Sequence, residues 1–226
     1  MQIDTTPARW IEQSLARQPW ATVGALVPDR FEAYARILYP AYRTTMGRPI
    51  EPVRWSDIAA RNGRVLHPQV AFARIADLGD DPNEQPTWGR RPQEGDLPSE
   101  VIGPLKRVLG AATTTPERCW FCVWRGEGAM PYLEGYDDIP AVRTPGRDYN
   151  LVSGTLDAVA LFDDHTPNIW WPEDRSWCVA SEVDLDSTYV GGSAECIERL
   201  AEERALEVLM VTPGDRVDVA ADDIDR

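Results

Sequence analysis

The chain has 226 residues, 43% of them hydrophobic, and carries 23 basic against 37 acidic side chains, which gives a net charge of −14. This length and apolar content can bury a core without metals or disulfides. No cofactor is expected. The negative charge argues against a nucleic-acid partner and favours a soluble protein, alone or with a protein partner that has a basic surface. No apolar run approaches the roughly 20 residues that span a bilayer, and the N-terminus lacks the layout of a signal peptide. We therefore expect a cytoplasmic protein with no membrane partner.

Lysine and histidine are too scarce for several common mechanisms. Lys106 is the only lysine and lies outside any phosphate-binding glycine loop, so a Schiff base or a P-loop could rest on this residue alone. His67 and His165 are the only histidines, which excludes a three-histidine zinc site. One histidine would suffice for a Ser-His-Asp arrangement, but the chain contains no Gly-x-Ser-x-Gly elbow.

The four cysteines, Cys119, Cys122, Cys178 and Cys196, form no complete metal or redox motif. Cys119 and Cys122 have the spacing of such a motif, but their aromatic and β-branched surroundings predict a strand, whereas a thioredoxin-type pair opens a helix. Residues three apart in a strand point to opposite faces, so these two thiols could not share a metal without a bulge. We expect buried, reduced thiols and no metal site.

In the first part of the chain the residue patterns predict mainly helices. A cap and an early proline indicate a helix over 8–16, and a short strand over 24–28 follows. Asp29 then caps a predicted helix over 29–38, because apolar residues at spacings of three and four share one helical face. A strand over 52–55 leads into a helical turn over 56–60.

Region 79–96 is predicted to be a long loop, since prolines, glycines and charges leave no period there. Trp88 within it either anchors the loop or contacts a ligand, and anchoring is the commoner case. The remaining predicted elements are a helix over 98–109, a strand over 119–125, an irregular stretch over 126–148, strands over 149–153 and 177–183, a helix after Ser193 and a strand over 206–211.

Helices and strands interleave without the regular alternation of a doubly wound nucleotide-binding fold. We therefore predict an α+β protein with a single domain over 1–214, in which helices pack on a mixed or mostly antiparallel sheet. The acidic tail over 215–226 is predicted to fray.

Segment 170–186 is the most informative part of the sequence, because it concentrates tryptophans and carboxylates. Tryptophan needs a partner for its N–H when buried and promotes aggregation when exposed, so the segment marks either a core or a binding surface. If the strand over 177–183 continues, carboxylates two residues apart share one face, where they could form an acid–base pair or a hard-metal site. A solvated acidic strand face gives the same alternation and is the more frequent case. The candidate binding residues are Trp170, Trp171, Trp177, Glu182, Asp184 and Asp186, and no catalytic residue is assigned.

A second candidate is the turn Val190-Gly191-Gly192-Ser193 at a predicted helix start. Backbone N–H groups at such a position can bind an anion, and glycines let a phosphate approach closely. The same residues also suit an ordinary turn into a capped helix, which we consider the more frequent reason for them.

Segments 23–38, 168–172 and 188–193 resemble corresponding segments of a group of actinobacterial proteins of unknown function. Segment 26–34, in which a proline, an acidic residue and an aromatic residue follow one another, also resembles the helix start of the SUKH family of immunity proteins. The second resemblance implies a cytosolic α+β module that binds and neutralises a toxin. Leu38-Tyr39-Pro40 stands where that family has a glycine-asparagine turn.

Two functions are consistent with these residues. The first is an acidic binding protein, of the immunity type, whose tryptophan segment and acidic face engage a protein partner. The alternative is a small hydrolase or ligand-binding enzyme that uses the carboxylates beside the tryptophans. Converging carboxylates in a concave pocket would favour the enzyme, and a flat or convex acidic face would favour the binding protein.

Overall fold

The computed structural model describes residues 4–48, 50–79, 81, 83–126, 139–161 and 165–224. Within them the chain forms an α+β domain with an eight-stranded sheet, a three-stranded sheet and helices packed against both. Every strand pair in the described residues is antiparallel. The predicted fold class is thereby confirmed.

The strands of the large sheet follow the order β11-β1-β10-β9-β8-β5-β7-β6, and those of the small sheet the order β3-β2-β4. The strands are β1 (Ala33–Leu38), β2 (Ala41–Arg43), β3 (Glu51–Val53), β4 (Gly89–Arg90), β5 (Cys119–Trp124), β6 (Val142–Thr144), β7 (Arg147–Gly154), β8 (Ile169–Pro172), β9 (Cys178–Ser181), β10 (Ser187–Gly192) and β11 (Val208–Val211). The α-helices are α1 (Arg9–Leu15), α2 (Trp55–Asn62), α3 (Phe72–Ile75), α4 (Ser99–Ala111) and α5 (Ala194–Glu202).

Both faces of the large sheet are buried. One face packs against α4 and α5 through a core that includes Phe121 and Trp170, and the other packs against α1 through a core that includes Cys122 and Trp171. Side chains alternate between the two faces along each strand, which is why neighbours in β5 and β8 belong to different cores. Cys119 and Cys122 accordingly lie on opposite faces, as their spacing predicts.

A third core joins the small sheet to α2 and α3 around Trp55, whose Nε1 donates to the carbonyl of Tyr39 at 2.7 Å. Trp88 is half-buried against this core and anchors the loop that carries it. Among the described residues of the predicted long loop, only the two of β4 pair with a strand, namely with β2. No helix in the described parts of the chain is both long enough and apolar enough to cross a membrane.

The helix predicted over 29–38 is wrong, because Ala33–Leu38 forms β1 between β10 and β11. Five consecutive residues of this strand, from Tyr34 to Leu38, are buried. A strand covered on both faces shows no alternation of apolar and polar residues. The remaining pattern here is the three-residue spacing of Phe31, Tyr34 and Ile37, which is also the spacing of an apolar helical face. The helix start on which the SUKH resemblance rests is therefore a turn followed by a strand.

Three further expectations differ from the structure. The irregular stretch predicted over 126–148 lies partly outside the described residues, and within them it contains β6 and the first residues of β7. The predicted strand over 24–28 overlaps a 3-10 helix, Val23–Ala25, and its residues make no strand pairing. The predicted frayed tail is packed as far as Asp222: Val217 donates its N–H to the carbonyl of Ala21 at 3.0 Å, and Asp222 is buried. Fraying was inferred from acidic composition, but specific acceptors in the first half of the chain hold this segment.

Candidate functional site

The three candidate tryptophans are core residues. Trp170 and Trp177 are fully buried on the α4 and α5 side of the sheet, and Trp171 is 1% exposed on the α1 side. Trp177 Nε1 donates to the carbonyl of Leu109 at 2.9 Å, which fixes α4 to the sheet. None of these indoles presents a free face for a ligand.

The three candidate carboxylates do not continue one strand. β9 ends at Ser181, and the carbonyl of Glu182 accepts a hydrogen bond from the N–H of Leu185 at 3.0 Å, which closes a turn. The turn sends Glu182 and Asp184 to Arg147 and sends Asp186 to Arg36. The expected single acidic face is therefore divided between two arginines.

Arg36 has a structural role in β1. Its guanidinium donates to Ser187 Oγ at 2.9 Å and to the carbonyl of Val70 at 2.8 Å, and it lies 3.5 Å from Asp186. A buried arginine is tolerated only when its N–H groups find acceptors, and these partners lie in two separate segments, the loop before α3 and residues 186–187. Asp186 is thus part of the link between β1 and the loop that precedes α3.

The largest cavity next to the other two carboxylates has a volume of about 530 Å³. It lies between the α1 to β1 connection, the β6–β7 turn, the turn after β9 and residues 217–218. Leu26 and Ile169 contribute to its apolar lining, and Trp20 stands at its rim with 81% of its surface exposed. We call this cavity the Trp20 cleft.

The polar side of the Trp20 cleft is centred on Arg147. Its Nη2 donates to Glu182 Oε1 and, at 2.9 Å, to Asp184 Oδ2, while its guanidinium lies over the ring of Trp124 at 4.6 Å. Partial burial opposes the charge of Arg147, but the hydrogen bond and the charge of Glu182 outweigh it and raise the pKa of Arg147. Tyr149 also lines the cleft; burial, reinforced by Glu182, raises its pKa, so its hydroxyl stays protonated.

The backbone holds Trp20 in place from its C-terminal side. Ala21 has a φ of 56°, in the left-handed region that residues other than glycine rarely adopt, and its carbonyl accepts from Val217. Thr22 then forms a β-bridge with Arg216. The C-terminal segment therefore fixes the backbone on which an exposed indole stands, while the indole itself remains accessible.

A second cavity, of about 190 Å³, shares Asp184 and Leu185 with the Trp20 cleft and includes Arg36, Glu94 and Asp186. Burial and the nearby carboxylate of Asp186 raise the pKa of Glu94. This volume falls below the roughly 300–1,000 Å³ that ligand pockets usually have, whereas the Trp20 cleft falls within that range. The larger cavity is therefore the stronger candidate.

The glycine turn does not form an anion site of the predicted kind. Gly191 and Gly192 end β10, and Ser193 caps α5 by accepting from the N–H of Cys196 on its Oγ at 3.2 Å. A Cβ on Gly191 would lie 2.5 Å from Phe31, so close packing requires that glycine. The cap interpretation accounts for these residues.

Sequence reasoning identified Glu182 and Asp184 but missed Trp20 and Arg147. Trp20 follows Gln18-Pro19 in a segment with no apolar period, which is the available sign that its indole is not part of a core face. Arg147 follows Pro145-Gly146 at a hairpin turn, and nothing in the sequence pairs it with residues 35 positions later. Among the described residues, no group of three or more histidine, cysteine or carboxylate side chains is placed to hold a metal ion.

Comparison of the chain with protein-family models, with curated proteins and with solved structures finds no match in any of the three.

Proposed function

We propose that this protein binds a small organic ligand in the Trp20 cleft. The observation that carries the proposal is a cavity of about 530 Å³ with an exposed indole at its rim and an arginine–carboxylate group on one wall. Ligand sites typically combine a mainly apolar lining with a few convergent polar groups in this way. The indole of Trp20 is 81% exposed, so it gives up few contacts within the protein when it covers a ligand, and it gains apolar contact with that ligand.

The arrangement supports binding more than hydrolysis. Glu182 Oε1 accepts hydrogen bonds from both Arg147 and the N–H of Val183, so this carboxylate is held in place and ion-paired. A general base needs a carboxylate that can reach and accept a substrate proton. The role that suits Glu182 is to orient a ligand through its second oxygen.

The first experiment is a ligand-observed NMR screen of small aromatic compounds against the wild-type protein and cleft variants. Trp20→Ala removes the indole at the rim, and Ala25→Phe places a ring in the space that the cleft offers. We expect both variants to lose the compounds that bind the wild-type protein, and Trp20→Phe to retain part of the binding.

Met46→Ala is the matched control, because Met46 is fully exposed and lies outside the cleft. Thermal melts of each variant identify any loss of folding. Compounds that still bind to a folded Ala25→Phe variant, or a screen without any binding compound, would contradict the proposal.

A protein partner with a basic surface, as in the immunity-type hypothesis, is the second candidate. The net charge of −14 favours it, because such a charge attracts basic surfaces and speeds their association. The test is co-purification of the tagged protein at low and high salt with mass spectrometry of retained proteins. A stoichiometric partner released by salt would support this candidate, and a protein recovered alone would leave the cleft proposal as the better one.

A further inference from the structure

We infer that the ligand of the Trp20 cleft is an organic cation, a guanidinium or ammonium group carried on an apolar or aromatic body. This inference rests on the proposed function and specifies the chemistry of the same cleft. The charges that line the cleft, their hydrogen bonds and the guanidinium that the chain itself places there all support it.

The charged groups of the cleft leave an excess of negative charge. Arg147 is the only cation among the described residues that line it, whereas Glu182, Asp184 and Asp218 are all carboxylates. Asp218 is neutralised by Arg216, which binds both of its oxygens at 2.7 and 2.9 Å. One guanidinium is then left for two carboxylates.

The hydrogen bonds of the cleft leave one oxygen of each of the two carboxylates without a donor among the described residues. Arg147 uses a single nitrogen, Nη2, for both of them. Within the described parts of the chain, Glu182 Oε2 and Asp184 Oδ1 accept no hydrogen bond. A ligand that donates N–H groups and brings positive charge would satisfy both oxygens, and charge-assisted bonds of this kind are the stronger ones.

Aromatic surfaces complete a site that suits a cation. Trp20 offers its exposed indole at the rim, and an indole face attracts a cation placed over it. The chain already shows this chemistry beside the cleft, because the guanidinium of Arg147 lies over Trp124 while contacting both carboxylates. A ligand cation would make the same two kinds of contact from the cavity side.

Arg147 is consequently a competitor of the ligand for the two carboxylates. Replacing Arg147 by glutamine removes a positive charge, so that Glu182 and Asp184 can both bind the ligand. We therefore expect Arg147→Gln to strengthen the binding of a cation by about threefold, taking the exposed pair with Asp184 as the scale. If Arg147 instead held an anionic ligand through its remaining N–H groups, the same substitution would abolish the binding of that anion.

The probes are three compounds with the same apolar body: 4-phenylbutylamine, 4-phenylbutanol and 4-phenylbutyrate. Their dissociation constants are measured by isothermal titration calorimetry at low and at moderate salt. We expect the amine to bind most tightly and the carboxylate least, with the preference for the amine reduced by salt. Glu182→Gln should weaken amine binding by about tenfold, since it removes a charge-assisted hydrogen bond.

Asp184→Asn and Asp157→Asn form a matched pair that separates the cleft from the overall negative charge. The Asp184 and Asp157 side chains are 81% and 85% exposed, and each is ion-paired, but Asp157 pairs with Lys106 outside the cleft. We expect the first variant to weaken amine binding by about threefold and the second to leave it unchanged.

The outcomes distinguish this inference from the proposed function. Equal binding of all three compounds, or tighter binding of 4-phenylbutyrate that Arg147→Gln removes, would overturn the cation inference and leave a ligand-binding cleft. Binding of none of them would contradict both. Equal effects of the Asp184 and Asp157 substitutions would show that overall charge, rather than the cleft, attracts the amine.

Discussion

At the scale of single residues, Asp174 is a carboxylate that accepts several hydrogen bonds at once. Asp174, in the turn between β8 and β9, accepts from the N–H of Thr114 at 2.7 Å and from the hydroxyls of Thr113 and Thr114 at 2.8 Å each. Its other oxygen accepts from the N–H of Ser176. One carboxylate thus connects the turn to the segment that precedes β5.

These hydrogen bonds predict a pH-dependent contribution to stability. Partial burial opposes the charge of Asp174, but the hydrogen bonds from the threonines and Ser176 outweigh it and lower its pKa to about 2. In the unfolded chain the pKa of an aspartate is near 4. Because the pKa of Asp174 is lower in the folded protein, its ionised form stabilises the fold above about pH 4, and this stabilisation is lost as the pH falls from about 4 to about 2. Because the side chain is exposed to solvent, we expect Asp174→Asn to cost about 1 kcal/mol at pH 7.

The measurement is urea denaturation of wild type and Asp174→Asn between pH 3 and pH 7. The difference in the free energy of unfolding should narrow below pH 4, whereas Asp157→Asn should cost less at pH 7, because among the described residues its carboxylate makes only an exposed ion pair. A difference that stays constant from pH 7 to pH 3 would contradict the role assigned to the ionised Asp174.

At the scale of elements, β10 shows how a central strand is adapted to the helices and turns that cover it. Gly191 is paired on both sides, with Tyr34 of β1 and Cys178 of β9. A Cβ at this position would lie 2.5 Å from Phe31 Cδ2 and 2.9 Å from Val27 Cγ1. The segment before β1 therefore packs directly on the backbone of β10.

Two neighbouring glycines of β10 form a matched test of that packing. Gly191→Ala should lower the free energy of unfolding by about 1–3 kcal/mol, the usual cost of an overpacked core. Gly192→Ala should have almost no effect, because its Cβ would lie 3.4 Å from the nearest atoms, those of Cys196. Thermal and urea denaturation measure both, and equal effects of the two substitutions would contradict this account.

Elements with a clear period or a cap could be predicted from the sequence, and those that depend on long-range pairing could not. The helix carrying Ile197 and the strand containing Cys122 agree with the structure because local spacing defines them. β1 was mistaken for a helix, since burial on both faces removes the alternation that identifies a strand. The length of β9 was overestimated because Glu182 and Asp184 continue an alternating pattern that in fact enters a turn.

The same limit applies to the candidate site. Its carboxylates were visible as a local cluster, but the site also needs Trp20 from the first segment of the chain and Arg147 from a hairpin turn. Their proximity results from the order of strands in the sheet, in which β7 and β9 are separated by β5 and β8. No local sequence pattern specifies the order of the strands. The sequence could therefore predict the carboxylates of the site but not their proximity to Trp20 and Arg147.

At the scale of the whole molecule, the last residues of the described chain join parts that are far apart in sequence. Asp222 Oδ2 accepts from the N–H of Ala71 at 2.9 Å, and its Oδ1 lies 3.1 Å from His67 Nε2. Arg36 of β1 binds the carbonyl of Val70 in the same segment. The C-terminal segment, the loop before α3 and the large sheet therefore support one another.

This connection predicts that the C-terminal segment is required for stability. Asp222 is fully buried, so Asp222→Ala would leave the N–H of Ala71 without its acceptor and should lower the free energy of unfolding by about 3 kcal/mol. Asp77→Asn is the control, because Asp77 is half-exposed, asparagine tolerates its φ of 53°, and loss of its ion pair with Arg64 should cost less than about 1 kcal/mol.

Truncation after Gly214 should destabilise the protein at least as much, since it also removes Val217 and with it the hydrogen bond to Ala21 beside Trp20. Urea denaturation of the three variants compares these effects, and binding of the amine probe shows whether the rim of the cleft depends on the segment. If Asp222→Ala and the truncated protein were as stable as wild type, this account would be contradicted. The acidic C-terminal segment would then be dispensable for stability, as its composition alone predicts, and the loop before α3 would stay against the sheet without the hydrogen bonds of Asp222.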